Sequence, residues 1–121
     1  MNLIIFLSIY LLLLFSIIGY GYVLNNYFFK FKNLNFGYLG FFGIFILVFI
    51  SYFSHLFFSH DKIFNSIILI FGLLFFVNLL LDINKEDKQK LILQISFFLL
   101  LIFFVLSAKT HDDFEYYHFA Y

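Results

Sequence analysis

The sequence predicts an all-α integral membrane protein with four transmembrane helices, and three observations lead there. Of 121 residues, 64% are hydrophobic and 12% charged, against roughly 45–50% apolar and about 25% charged in soluble domains, and mean hydropathy is +1.04. The apolar residues gather into four long blocks separated by short polar connections. Lysines, the only basic side chains apart from histidine, concentrate in alternate connections. A chain of this length with these blocks has room for one membrane domain, 1–121, and no second one.

The first block covers about 3–24 and carries no charged side chain. At 1.5 Å per residue it reaches about 33 Å, enough for a hydrocarbon core of about 30 Å. Met1-Asn2 offers no basic flank and Val23-Leu24-Asn25-Asn26-Tyr27 no small-residue cleavage pattern, so an uncleaved helix is expected rather than a signal peptide. The second block, about 36–58, follows a polar stretch with Lys30 and Lys32. Gly37, Gly40 and Gly43 recur there every three residues and predict a face that another helix can approach closely. Ser59-His60-Asp61-Lys62 makes a tight connection to the third block, about 63–81, and the charged stretch 82–90 leads to the fourth, about 91–107. An outer juxtamembrane segment, 108–121, closes the chain.

Orientation follows from lysine counting, since short loops rich in Lys remain cytoplasmic and acidic residues contribute little. Lys30, Lys32, Lys85, Lys88 and Lys90 fall on one side, against Lys62 and Lys109 on the other. The expected topology is N-terminus out and C-terminus out, with all four histidines at or near the outer face. The lipid bilayer is the expected surroundings. Zero formal net charge and the lack of a basic cluster argue against nucleic acid as a partner. With no cysteine in the chain, thiolate metal sites, disulfides and cysteine nucleophiles drop out.

Ionisable residues cluster at the end. His111-Asp112-Asp113-Phe114-Glu115-Tyr116-Tyr117-His118 places three carboxylates and two imidazoles in eight positions. Adjacent carboxylates can hold a hard divalent cation, or one can act as a base; the candidate cation ligands are Asp112, Asp113 and His111. On a helix, His111, Glu115 and His118 would share a face, an arrangement compatible with a metal site. Tyr116, Tyr117, Phe119 and Tyr121 also read as an interfacial aromatic belt. Within the spans, His55 lies about one turn from its loop and predicts interfacial packing, while Asn78 and Gln94 predict hydrogen bonds between helices.

The stretch Lys109-Thr110-His111-Asp112-Asp113-Phe114-Glu115-Tyr116-Tyr117-His118-Phe119 resembles the acidic extracytoplasmic motif of the C-type superfamily of polytopic glycosyltransferases. It looks closest to a bacterial branch with an Asp-Asp-Phe-x-Tyr-Tyr-His signature. The resemblance implies a multi-pass protein of the bacterial inner (cytoplasmic) membrane that uses polyprenyl-phosphate sugars as donors. By it, Asp112 and Asp113 would be catalytic, as general base or metal ligand, with Glu115, Tyr117 and His118 in support. Four spans cannot enclose such a donor, so the chain is expected to be an N-terminal portion, inactive alone. The alternative expectation is a small helix-packing membrane accessory protein without catalysis.

Overall fold

The computed structural model describes residues 3–31, 35–57 and 59–107, and among them it contains helices and no strand. Four α-helices follow in order: α1 (Leu3–Leu24), α2 (Phe36–His55), α3 (Lys62–Asp82) and α4 (Lys85–Ser107). A π-helical turn, Asn25–Phe29, prolongs α1. Three segments are long and apolar enough to cross a membrane: Ile4–Phe29, Phe36–His55 and Lys62–Asp82.

The fourth expected span stands apart from these three. Its helix starts at Lys85 rather than near residue 91, so the charged run Lys85-Glu86-Asp87-Lys88 forms the opening turns instead of a loop. Asn84 explains the early start, because its side chain accepts a hydrogen bond from the Asp87 N–H at 2.9 Å, and Glu86 and Asp87 favour the positive end of the helix dipole. The apolar remainder, 91–107, reaches about 25 Å at 1.5 Å per residue, at the short end of the range for a membrane span. Residues 89–107 belong to a compact unit separate from residues 1–88.

Capping fixes two other starts. Asn35 accepts from the Gly37 N–H at 3.0 Å and opens α2; Asp61 accepts from the Phe64 N–H at 2.8 Å and opens α3. Each satisfies a donor that a helix N-terminus leaves without an intrahelical acceptor. α2 ends at His55, three residues before the expected limit.

Within the unit of residues 1–88, α1 is the central helix, packed against both α2 and α3. Between helices that cross a membrane lipid provides no hydrophobic drive, so in such surroundings close packing and polar contacts hold them. Glycine supplies the closeness. A Cβ on Gly21 would collide with the Leu39 carbonyl oxygen, and one on Gly43 with that of Ile17. These reciprocal contacts pair α1 and α2 in antiparallel register, in the manner of Cα–H···O approaches. On the other side of α1, a Cβ on Gly19 would strike the Gly72 carbonyl oxygen, and one on Gly72 would strike Ser16 Oγ. At 100° per residue Gly19 and Gly21 face nearly opposite ways, which is how one short Gly19-Tyr20-Gly21 sequence serves two partners.

The expected glycine face of α2 is therefore realised only in part. Gly43 meets α1, whereas a Cβ on Gly40 would meet nothing within 4 Å and one on Gly37 only the Asn35 side chain. A spacing of three drifts around a helix with 3.6 residues per turn, so the three glycines do not share one line.

Rings fill the space beside the glycines. Phe15 stacks on Phe76 with centroids 4.7 Å apart, and Tyr20 meets Phe75 edge-on at 5.6 Å. Leu39 and Leu79 are fully buried.

Candidate functional site

His111, Asp112, Asp113, Glu115, Tyr117 and His118 lie outside the described residues, which end with α4 at Ser107. Two polar clusters occur within residues 1–88, one at each end of the helix trio.

The first joins the C-terminal ends of α1 and α3. The Tyr22 hydroxyl donates to Asp82 Oδ2 at 2.8 Å. Asp82 is the last residue of α3, where the helix dipole disfavours a carboxylate, and the phenol offsets that penalty. Asn25, only 3% exposed, follows within a turn. Its side chain donates to the Phe31 carbonyl and accepts from the Phe31 N–H, both at 3.4 Å. Between them the chain widens into the π-turn, and Lys30 reverses it in the left-handed region at φ 53°. The Lys30 N–H donates to the Asn25 carbonyl at 2.6 Å. Phe29 stacks on Phe42 at 4.7 Å and pins the turn to α2. One buried amide thus satisfies backbone groups that the end of α1 would otherwise leave open.

The second cluster bridges α2 and α3. Ser54, buried near the end of α2, has its Oγ 2.8 Å from His60 Nε2 and donates to the Ser51 carbonyl at 3.2 Å. A hydroxyl has one proton, so Ser54 shares it between the Ser51 carbonyl and His60, and which partner donates in the Ser54–His60 bond follows from the imidazole tautomer. The His60 ring stacks on Phe64 with centroids 5.0 Å apart, and His55 meets it at 5.5 Å, nearly perpendicular. His55 is exposed at the helix end, in keeping with interfacial packing. The neighbouring carboxylate, Asp61, is committed to capping α3.

Both clusters hold helices together. A third polar contact does the same at mid-length: the Tyr20 hydroxyl donates to the Ile68 carbonyl at 2.8 Å, its ring lying in the space that Gly72 leaves open. No three His, Asp or Glu side chains converge as metal ligands among the described residues. Asn78, expected to bond to another helix, is exposed and has no hydrogen-bond partner among the described residues.

Sequence reasoning missed the Tyr22–Asp82 pair, the Asn25 clamp and Gly19 with Gly21. A signal for the first was present: a tyrosine near the end of one span and an aspartate ending another span that runs the same way. Comparison with protein-family models, curated proteins and solved structures finds no match to this chain.

Proposed function

We propose that the chain is the N-terminal membrane portion of a glycosyltransferase-like protein using lipid-linked sugar donors, inactive by itself. The observation that carries this reading is the commitment of polar groups in the helix trio. Tyr22 with Asp82 and Ser54 with His60 tie helix ends together, and Asn25 closes the turn after α1; these structural roles support seeking the chemistry in the acidic motif that carries the resemblance. In this reading α1 to α4 cross a bacterial inner membrane with both termini outside, and residues 108–121 meet polyprenyl-phosphate donors at the outer surface.

Asp112 or Asp113 takes the proton of an acceptor hydroxyl as its oxygen bonds to the anomeric carbon. The sugar–phosphate C–O bond breaks and polyprenyl phosphate leaves. The other carboxylate, with His111, would hold a divalent cation if one is used, and the cation would offset the negative charge of the leaving phosphate; Glu115, Tyr117 and His118 would support the motif.

The test is sugar transfer from a panel of polyprenyl-phosphate hexoses by membranes containing the longest protein encoded with this sequence. Asp112→Asn or Asp113→Asn should lower transfer by about 10²- to 10⁴-fold, the usual effect of losing a base, with membrane levels unchanged. Full activity in both variants overturns the reading.

A second reading, a helix-packing accessory protein without catalysis, is favoured by the exposed Asn78 face of α3. It is supported if no reading frame continues beyond the motif and the 121-residue chain copurifies with another membrane protein.

A further inference from the structure

His55 and His60 come together where α2 gives way to α3. His55 is the last residue of α2, and His60 directly precedes Asp61, whose side chain opens α3. The reversal between the two helices therefore folds one imidazole onto the other. Their ring centres stand 5.5 Å apart, with the planes at 68°.

That separation matches a shared ion. A transition-metal ion about 2.0–2.1 Å from each of two imidazole nitrogens, with a roughly tetrahedral angle between them, sets the ring centres about 5 Å apart. The second indication is the way His60 is held. Its Nε2 lies 2.8 Å from Ser54 Oγ, Ser54 is buried, and the ring stacks on Phe64 with centroids 5.0 Å apart. A ligating histidine characteristically gives its other ring N–H to such an acceptor, which fixes tautomer and orientation. Nδ1 is then the nitrogen left for the ion. With Nε2 donating, the Ser54 proton goes to the Ser51 carbonyl, 3.2 Å away, and each donor has its acceptor. His55 supplies the second nitrogen, since it is exposed and no hydrogen bond to a described residue occupies its ring.

We propose that His55 and His60 form a two-imidazole site for a divalent transition metal, with Ser54 as the positioning residue behind it. Imidazole nitrogens suit ions of the zinc and copper class, whereas magnesium and calcium take oxygen ligands. Asp61 stays outside the ligand set, because it caps α3 and no three ligating side chains converge among the described residues. Two protein ligands leave the other positions to water, so the site is open and its ion exchangeable. Loading it ties the last turn of α2 to the start of α3. The proposal is independent of the glycosyl-transfer reading and of the carboxylates at 112 and 113.

Copper is the probe, since Cu²⁺ heads the affinity order of divalent first-row ions and its paramagnetic resonance counts coordinated nitrogens. The detergent-purified chain is titrated with Cu²⁺ at neutral pH, and then with excess Zn²⁺ in competition. A signal with two imidazole nitrogens is expected, displaced by Zn²⁺ and retained in the variant carrying both His111→Gln and His118→Gln. His55→Leu and His60→Gln should each lose it, and the exposed position of His55 keeps the first of these variants folded. Ser54→Ala should weaken Cu²⁺ binding by about 10- to 100-fold, the usual effect of removing an outer-shell partner, and Ser54→Thr should restore it. A hydroxyl that only holds helices together would leave the affinity unchanged. The proposal is overturned by the lack of a two-nitrogen signal, by one that survives His55→Leu, or by one that vanishes with His111 and His118. Unaltered affinity in Ser54→Ala overturns the positioning role.

Discussion

The hydroxyl of Tyr22 and the carboxylate of Asp82, sixty positions apart, meet at 2.8 Å where α1 and α3 end together. Together with Ser16 and Gly19 against Gly72, the pair shows that these helices run in the same direction. It also gives the trio a fixed point beyond its glycine contacts.

Removing that point should loosen the trio without unfolding it. Tyr22→Phe keeps the ring and deletes the donor, leaving Asp82 at an unfavourable helix end. A cost of about 1.5–3 kcal/mol is expected for a hydrogen bond to a charged acceptor, seen as a lower thermal midpoint of the detergent-purified chain. Asp82→Asn keeps an acceptor and should cost less. Equal stability of Tyr22→Phe and the original would mean that the bond contributes nothing net.

Glycine substitutions should separate sharply by position. Gly21→Ala and Gly43→Ala drive a methyl into a backbone carbonyl of the opposite helix, which cannot swing aside as a flexible side chain can. Each should destabilise by about 1–3 kcal/mol. Gly40→Ala enters open space and should be neutral or slightly stabilising, because alanine favours a helix. Thermal midpoints of the three variants in one detergent check the order.

Ser54 should behave as a structural link to His60 and not as a nucleophile. A fluorophosphonate probe should leave it unlabelled, and intact mass would reveal any adduct. Ser54→Ala should lower stability by about 1 kcal/mol through loss of the His60 bond. His55→Leu should accumulate normally, since the ring is exposed at the helix end and the substitution makes the span more apolar.

Topology offers a further check. Alkaline phosphatase fused at His60 or Tyr121 should be active, and fused at Asn33 or Glu86 inactive, as the lysine distribution requires. The opposite pattern would put Asp112 and Asp113 in the cytoplasm, away from outward-facing lipid-linked donors.

The extent of α1, α2 and α3 was legible because their apolar runs are long and their interruptions short. The start of α4 was not, since charge was read as loop while Asn84 and the acidic residues after it favour an early N-terminus. Pairing was harder still. Gly37, Gly40 and Gly43 drew attention by repetition, yet contact is decided by which residues oppose a carbonyl, and Gly19 with Gly21 does that from a less regular pattern. The carboxylates at 112 and 113 were the conspicuous candidates in the sequence and lie outside the described residues. Among those described, polar contacts such as Tyr22–Asp82 join residues distant in the chain, and no local spacing announces them.

The central place of α1 bears on how the protein is made. The ribosome releases this helix before α2 and α3, so its two glycine faces await partners that emerge one after the other. α2 arrives through a short connection and closes one face as a hairpin; α3, entering afterwards, finds the second face free. Assembly can therefore follow the order of synthesis, with the earliest helix as template and no step that must displace a neighbour already docked. Losing one glycine contact on the α2 side should leave the α3 side able to form, and the reverse, so that failures of assembly would be partial and traceable to the helix that did not dock.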